Sequence, residues 1–462
     1  MSTTYLNLNN ITYLTLCILQ FKELKQIGPG RTIFFCRVMG FIMLLGVVVS
    51  CNKHAPDVQK ELSALYKQED FFKMREYFED SQQHLSKRYR TYYKALTENA
   101  FYAHEASNAS IDHLLDRYQE MLSEEELKNV YKTRYMNYSN LFNYSRALEI
   151  CSLLISDYRH VIDSPAYEHL LNERKILEVL IHTPPQEIIK KQDCGVRLRK
   201  DKMMLVNIPV TIRDSTLQLL FDTGSSFSFI RRSIAEQLNV KIFDVDFEVE
   251  GITGNVVICD IAVVPALTLG SIQVKNSVFW VFDDADLTLP DYDYSVNGAI
   301  AFPILKALGE FHVIRNDSVF IPSEAKDYNL NNLAIDELDP IVAVTVDHDT
   351  LPWYFDTGAA FSSFYKPYYT KYSERIDTTC TMHTYDIGGL GGTREFTSYI
   401  IDSVHLEVAG NGADIHDTEI HTASIYKYPE KVYGNLGQDF ILQFDKMVIS
   451  TNSASLFFEQ IN

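Results

Sequence analysis

The hydrophobic rhythm of the chain changes once, near residue 185. From about residue 57 to 181 there is almost no Gly or Pro, Pro165 excepted, and apolar residues recur at helical spacing, as at Leu114, Leu115, Tyr118 and Leu122. Helices are expected throughout this stretch. Three of its segments resemble one another: Asp70-Phe71-Phe72-Lys73, Asn108-Ala109-Ser110-Ile111 and Asn143-Tyr144-Ser145-Arg146. Each is expected to open a helix after a turn, at spacings of 38 and 35 residues. Pro184-Pro185 ends the helical region, because proline cannot continue a helix and restricts the residue before it. After Cys194 the pattern turns to short β-type runs such as residues 203–212, 217–221 and 352–355. An Asn-, Asp- and Glu-rich stretch, residues 323–339, joins two such β regions. The expected organisation is a leader at 1–50, a helical region at 52–190, and β regions at 195–325 and 335–462.

The two β regions are copies of one plan. Phe221-Asp222-Thr223-Gly224-Ser225-Ser226 and Phe355-Asp356-Thr357-Gly358-Ala359-Ala360 stand 134 positions apart, each at the end of an apolar run. One Asp-Thr-Gly is an ordinary strand-ending turn. The flanking landmarks repeat as well. From Asp222 to Gly298 is 76 residues, from Asp356 to Gly434 is 78, and a Gly-rich hairpin lies inside each interval. These hairpins are Gly251-Ile252-Thr253-Gly254 and Gly388-Gly389-Leu390-Gly391-Gly392. Such a fixed order of elements marks an internal repeat. Two carboxyls brought together on tight turns cannot both ionise cheaply, so they share a proton and serve as acid and base on one water.

At these residues the chain resembles the aspartic proteases, in particular the retropepsin-like bacterial branch, over about residues 195–462. The resemblance implies a multidomain α+β protein: an N-terminal α-helical hairpin array followed by two all-β retropepsin-like lobes forming a bilobal aspartic protease fold. It implies that Asp222 and Asp356 form the catalytic pair, and that Thr223 and Thr357 bond across the two loops. Gly224 and Gly358 would let the loops turn, with Ser225 and Ala359 beside them. The hairpins at Gly251, Ile252, Thr253, Gly254 and at Gly388, Gly389, Gly391, Gly392 would be flaps over a bound peptide. Neither a metal nor another cofactor is implied. Two differences separate the halves. Ala301 stands where the repeat has Gly437, so its methyl is expected to crowd the loop of Asp222. Ser225 faces Ala359, so a hydroxyl is expected to favour ionisation on one side only, giving an asymmetric dyad.

The 462 residues are 46% hydrophobic and 22% charged, which suits packed domains. The net charge of −19 argues against nucleic acid, whose phosphates need a basic face. Residues 66–144 are rich in aromatic side chains, read as helix–helix packing. Among 13 His there is no metal-ligand spacing, although His104 and His113 fall close in sequence. Cys151, Cys194, Cys259 and Cys380 are scattered, so buried free thiols are expected and a zinc site is not.

Residues 38–49 are apolar with Arg31 and Arg37 upstream, and Val48-Val49-Ser50-Cys51 is similar to a bacterial lipoprotein cleavage site. Cys51 is then the lipidated mature N-terminus, and the protein is held at a cell-envelope membrane on its periplasmic or surface face. An uncleaved membrane helix is the competing reading, for which the apolar run is short. The helical region resembles tetratricopeptide-type arrays in period, and is either packing support or a docking surface for a protein partner. The expected function is an exported, lipid-anchored aspartic endopeptidase acting on a peptide or protein substrate. The alternative is a catalytically inactive peptide-binding or scaffold lipoprotein with the same fold.

Overall fold

In the computed structural model the described residues are 55–251, 253–315, 317–425 and 430–460. The leader and Cys51 lie outside them, as does Ile252. The helical region forms seven helices: α1 Ala55–Lys67, α2 Phe71–Ser81, α3 Lys87–Ala100, α4 His104–Tyr118, α5 Glu124–Asn140, α6 Tyr144–Asp157 and α7 Ser164–Leu180. They come as hairpins. Glu69, Tyr102 and Phe142 each take a positive φ in the connection between paired helices, an unusual conformation for such side chains that reverses the chain tightly. Side-chain caps fix most starts. The Asp70 and Asn143 carboxyl and amide oxygens accept from Lys73 and Arg146 N–H, and Ser123 and Glu126 form a reciprocal capping box.

The middle opening differs from expectation. Helix α4 starts at His104, so Asn108 lies inside it, and Ala103 at its cap has no side chain that can accept. The polar Asn108-Ala109-Ser110 segment mimicked a cap, while the true boundary carried no capping signal. His104 is buried with Nδ1 3.3 Å from Asn137 Oδ1, and burial pushes it down to about 3. His113 packs its ring edge-on against Tyr118 instead of meeting His104. Aromatic residues pack between neighbouring helices, as in the edge-on pair of Phe72 on α2 with Phe101 at the end of α3.

The first β half contains β1 Val206–Ile212, β2 Ser215–Phe221, β3 Ser228–Arg231, β4 Lys241–Glu250, β5 Val256–Leu269, β6 Ile272–Phe282 and β7 Gly298–Ile300. The second repeats the series: β8 Asp339–Val346, β9 Asp349–Phe355, β10 Ser363–Phe364, β11 Thr381–Gly389, β12 Gly392–Val408, β13 Asn411–Ile420 and β14 Gly434–Leu436. The joining segment ends earlier than expected, because Leu333–Asp336 already pairs antiparallel with β8. The decisive repeat is in pairing. Strand β7 lies parallel to β2 with Ile300 opposite Phe221, and β14 lies parallel to β9 with Leu436 opposite Phe355. Each short strand is also antiparallel to β3 or β10.

A third sheet ties the halves together. Glu310–Ile314 pairs antiparallel with Lys446–Ser450, flanked by Ser318–Ile321, Cys194–Arg197 and Ser455–Glu459. One apolar core runs from Phe221, Phe302 and Phe311 to Trp353, Phe355, Phe440 and Phe458. The four described cysteines are free, and Cys151, Cys194 and Cys259 are buried.

The helices are packed into this framework. Met136, Ile150, Leu154 and Leu177 share a core with Phe247, Trp280 and Phe282 of the first half. Asn172 on α7 exchanges two hydrogen bonds with the backbone of Glu248 on β4, at 2.8 and 3.2 Å. Asn140, at the end of α5, reaches both halves. Its Nδ2 donates to Glu337 O at 2.7 Å, and it accepts from the buried Lys306 ammonium. Tyr102 Oη donates to Ala334 O at 2.9 Å.

Candidate active site

Each Asp-Thr-Gly loop begins where its strand runs out of partners, and the parallel neighbour holds the first residue. Asp222 N–H donates to Ile300 O at 3.0 Å, and Asp356 N–H donates to Leu436 O at 3.1 Å. The threonines then lock the loops together reciprocally. Thr223 Oγ1 donates to Phe355 O at 2.8 Å and accepts from Thr357 N–H at 3.0 Å. Thr357 Oγ1 donates to Phe221 O at 2.7 Å and accepts from Thr223 N–H at 3.0 Å. All four bonds are buried, where an unpaired donor or acceptor costs about 1–3 kcal/mol.

This lock sets the carboxyls side by side. A Cβ on Gly224 would overlap the Asp356 carboxyl, and one on Gly358 would sit 2.5 Å from Asp222 Oδ1. Each glycine therefore leaves room for the other loop's acid. The two carboxyls interact directly, and burial raises both, with the Asp356 charge raising Asp222 further.

The dyad is asymmetric, though for a different reason from the one expected. Ser225 Oγ donates to Phe227 O at 2.8 Å and does not reach either carboxylate. The difference comes from the other loop. Asp356 Oδ1 accepts from Gly358 N–H at 2.7 Å and Ala359 N–H at 3.1 Å, and Asn435 Nδ2 stands 3.4 Å from Oδ2. Asp222 Oδ1 accepts from Gly224 N–H alone, at 2.9 Å. Burial, then the neighbouring Asp356 charge, holds Asp222 well above the usual carboxylate range. Burial raises Asp356 too, but its several donors offset part of that rise. The larger set of donors favours the ionised form on Asp356, which leaves Asp222 the better seat for the pair's proton. Replacing Ser225 by Ala is accordingly expected to leave the pH–rate profile unchanged; a shifted limb of kcat/KM would overturn this account of the asymmetry.

Ala301 is accommodated without the crowding expected of it. Its N–H donates to Ser228 Oγ at 3.0 Å, matching Gly437 N–H to Ser362 Oγ at 2.9 Å. At Gly437 itself a Cβ would lie 2.7 Å from the Phe361 backbone, so only that half needs the glycine.

The Gly-rich hairpins meet tip to tip. Asn255 Nδ2 donates to Gly391 O at 3.0 Å, Thr253 Oγ1 to Leu390 O at 3.0 Å, and Arg394 Nη1 to Thr253 O at 3.1 Å. Gly251, Gly388 and Gly389 line the same cleft as Asp222 and Asp356, whose volume is about 1760 Å³. One wall of that cleft was not legible beforehand. It is made by the helices, with Tyr135, Met136 and Phe142 from the third hairpin, α5–α6, and His169, Glu173 and Ile176 from α7. Asn435 was within reach of sequence reading, since it breaks the match of Gly434-Asn435-Leu436 with the apolar Gly298-Ala299-Ile300.

Residues 208–292 match the model of the aspartyl protease family. This span contains the first Asp-Thr-Gly loop and the first hairpin, and supports an aspartyl protease domain there. No curated protein matches the chain. Among solved structures, conglutin gamma, a basic 7S globulin from lupine seeds, is similar at 12% identity with a TM-score of 0.34. That similarity covers 59% of this chain and 100% of conglutin gamma, and at this score it carries no argument. Among the described residues, Asp244, Asp246 and Asp260 are grouped closely enough to share a cation; Asp260 is paired with Arg232 at 2.7 Å, and none of the three lines the cleft.

Proposed function

We propose that the protein is an aspartic endopeptidase with two retropepsin-like lobes in one chain. The observation that carries this is the contact of the Asp222 and Asp356 carboxyls, each fitted under the other loop's glycine and fixed by reciprocal threonine bonds. Asp356 takes a proton from a water held between the carboxyls. Asp222 donates its proton to the carbonyl oxygen of the scissile peptide bond, and the water oxygen bonds to the carbonyl carbon. The tetrahedral diol then collapses as the amine leaves, taking up a proton from the dyad. An extended peptide lies in the cleft beneath the paired hairpins, which act as flaps, exclude water and align the substrate.

The three helical hairpins with left-handed connecting residues support a tetratricopeptide-like array, and their place in the cleft wall supports a role in holding substrate. The Val48-Val49-Ser50-Cys51 sequence supports export and lipid anchoring through Cys51. Among the described residues no helix is long and apolar enough to cross a membrane.

A peptide carrying a statine-type hydroxyl at the scissile position is expected to bind and to block hydrolysis of a peptide library. Binding without any hydrolysis by the wild type would favour the inactive peptide-binding alternative. Failure to bind would remove both readings.

A further inference from the structure

Asp339 opens β8 and lines the cleft together with the dyad. It is half-buried. Its Oδ1 accepts from Ser226 Oγ at 2.7 Å, across the boundary between the two halves and four residues beyond Asp222. Its Oδ2 has no hydrogen bond among the described residues. The charged groups acting on it are Glu337 and Asp356 from its own half, Asp222 from the other, and His169 from α7. Only His169 is a cation, and its Nε2 is held by Glu337 at 3.2 Å.

The rest of the cleft wall has the same deficit. Its lysines are Lys132, Lys175 and Lys431, and no arginine lines it among the described residues. Lys132 is bound to Glu337 at 3.2 Å, Lys431 is bound to Glu69, and Lys175 Nζ donates to Asp246 O at 2.9 Å. Every lysine of the wall thus has an acceptor elsewhere, and Asp339 is left without a cation.

We propose that Asp339 is a specificity-determining residue that receives a lysine or arginine side chain of the substrate next to the scissile bond. This rests on the aspartic endopeptidase reading. Its place beside Ser226 puts the carboxylate within one loop of the dyad, so the cation it takes belongs to a residue close to the bond being cut. The cation supplies Oδ2 with a charge-assisted hydrogen bond, stronger than a neutral one. Burial and the charges of Glu337 and Asp356 push the Asp339 carboxyl up to about 7, the behaviour of an acid that lacks a counter-ion. A neutral side chain of the same length leaves that carboxyl half-buried and unpaired. A hydrogen bond to a charged group corresponds to a preference of about 10- to 100-fold.

The test uses one peptide with lysine, norleucine or glutamate placed in turn at each position within four residues of the scissile bond. We expect a 10- to 100-fold higher kcat/KM for lysine over norleucine at one position. The preference is lost in Asp339→Asn and turns toward glutamate in Asp339→Lys. Should the lysine variant fail to fold, the asparagine variant carries the result. The double variant Glu105→Gln, Asp116→Asn removes two exposed carboxylates of α4 outside the cleft and is expected to keep the preference. Its loss there would assign the effect to overall negative charge and overturn the proposal. Equal hydrolysis of the lysine and norleucine peptides overturns the proposal and leaves the endopeptidase reading standing. If no peptide is cut, that reading fails, and fluorescence anisotropy of the same peptides on the Asp222→Asn protein decides the question. Tighter binding of the lysine peptide, abolished by adding Asp339→Asn, supports it; equal or absent binding overturns it.

Discussion

Replacing Asp222 by Asn is expected to lower peptide hydrolysis by about 10³-fold or more, since proton transfer by a positioned acid contributes about 10²–10⁴-fold. Asp356→Asn is expected to do the same by removing the base. What separates these variants from ordinary loss-of-function changes is the accompanying stability. The folded pKa of Asp222 is raised above the unfolded value of about 3.9. Its folded state therefore binds more protons than the unfolded state between those two values. The resulting contribution to stability is complete below about pH 3.9 and is lost as the pH rises through the folded pKa. At neutral pH the folded wild type must either keep the Asp222 proton or hold a second charge beside Asp356, a cost the unfolded chain does not bear and the amide variant does not have. Asp222→Asn should accordingly unfold at a higher temperature than the wild type at pH 7.5, with the advantage vanishing near pH 3. Thermal unfolding at the two pH values, alongside kcat/KM on one peptide, checks both halves. A variant equally inactive but less stable at pH 7.5 would mean that the carboxyls do not repel each other in the folded protein.

Gly224→Ala is the second change with a large expected effect, about 10²-fold or more in kcat/KM, as for misplacement of reacting groups by about 1 Å. The cause is space. Gly224 has no positive φ, so its backbone would tolerate a side chain; the added methyl would overlap the Asp356 carboxyl. Asp356 must rotate or its loop must retreat, and either movement separates it from Asp222. Gly358→Ala pushes on Asp222 Oδ1 in the mirror sense. The comparison is Gly195→Ala, where a Cβ meets nothing within 4 Å and activity should be unaltered. Circular dichroism should show an unchanged β content in all three. Near-wild-type activity in Gly224→Ala would mean that the dyad tolerates displacement, contrary to the close fit described here.

The parts of the site legible in the sequence were those written in local turn chemistry. Asp222-Thr223-Gly224 and its copy, with matching downstream glycines, are short-range patterns, and the parallel pairing of β7 with β2 and β14 with β9 turns them into one site. The parts that were not legible depend on partners far along the chain. Ser226 meets Asp339 across 113 positions, and nothing about either residue alone announces the other. Ser225 was assigned a role by adjacency, yet the loop turns its hydroxyl to the Phe227 carbonyl. The additional Ala359 N–H and the Asn435 amide on the other side create the asymmetry, and a backbone donor leaves no trace in residue identity. The helical wall of the cleft was hidden because an amphipathic pattern shows which face is apolar, but not what that face covers. The start of α4 was misplaced for the simplest reason, that Ala103 caps without a side chain.

Having both halves in one polypeptide has a consequence for how the two acids divide their labour. In an assembly of two identical subunits every substitution is made twice, so no change of residue can distinguish one acid from the other, and a bound substrate must choose. Here Asn435 has Ala299 as its counterpart, and the closely packed Gly437 has Ala301. Joining the copies released each from the obligation to mirror its twin. A symmetric proton-sharing device could thus become directional, with the donor and the acceptor named before any peptide arrives.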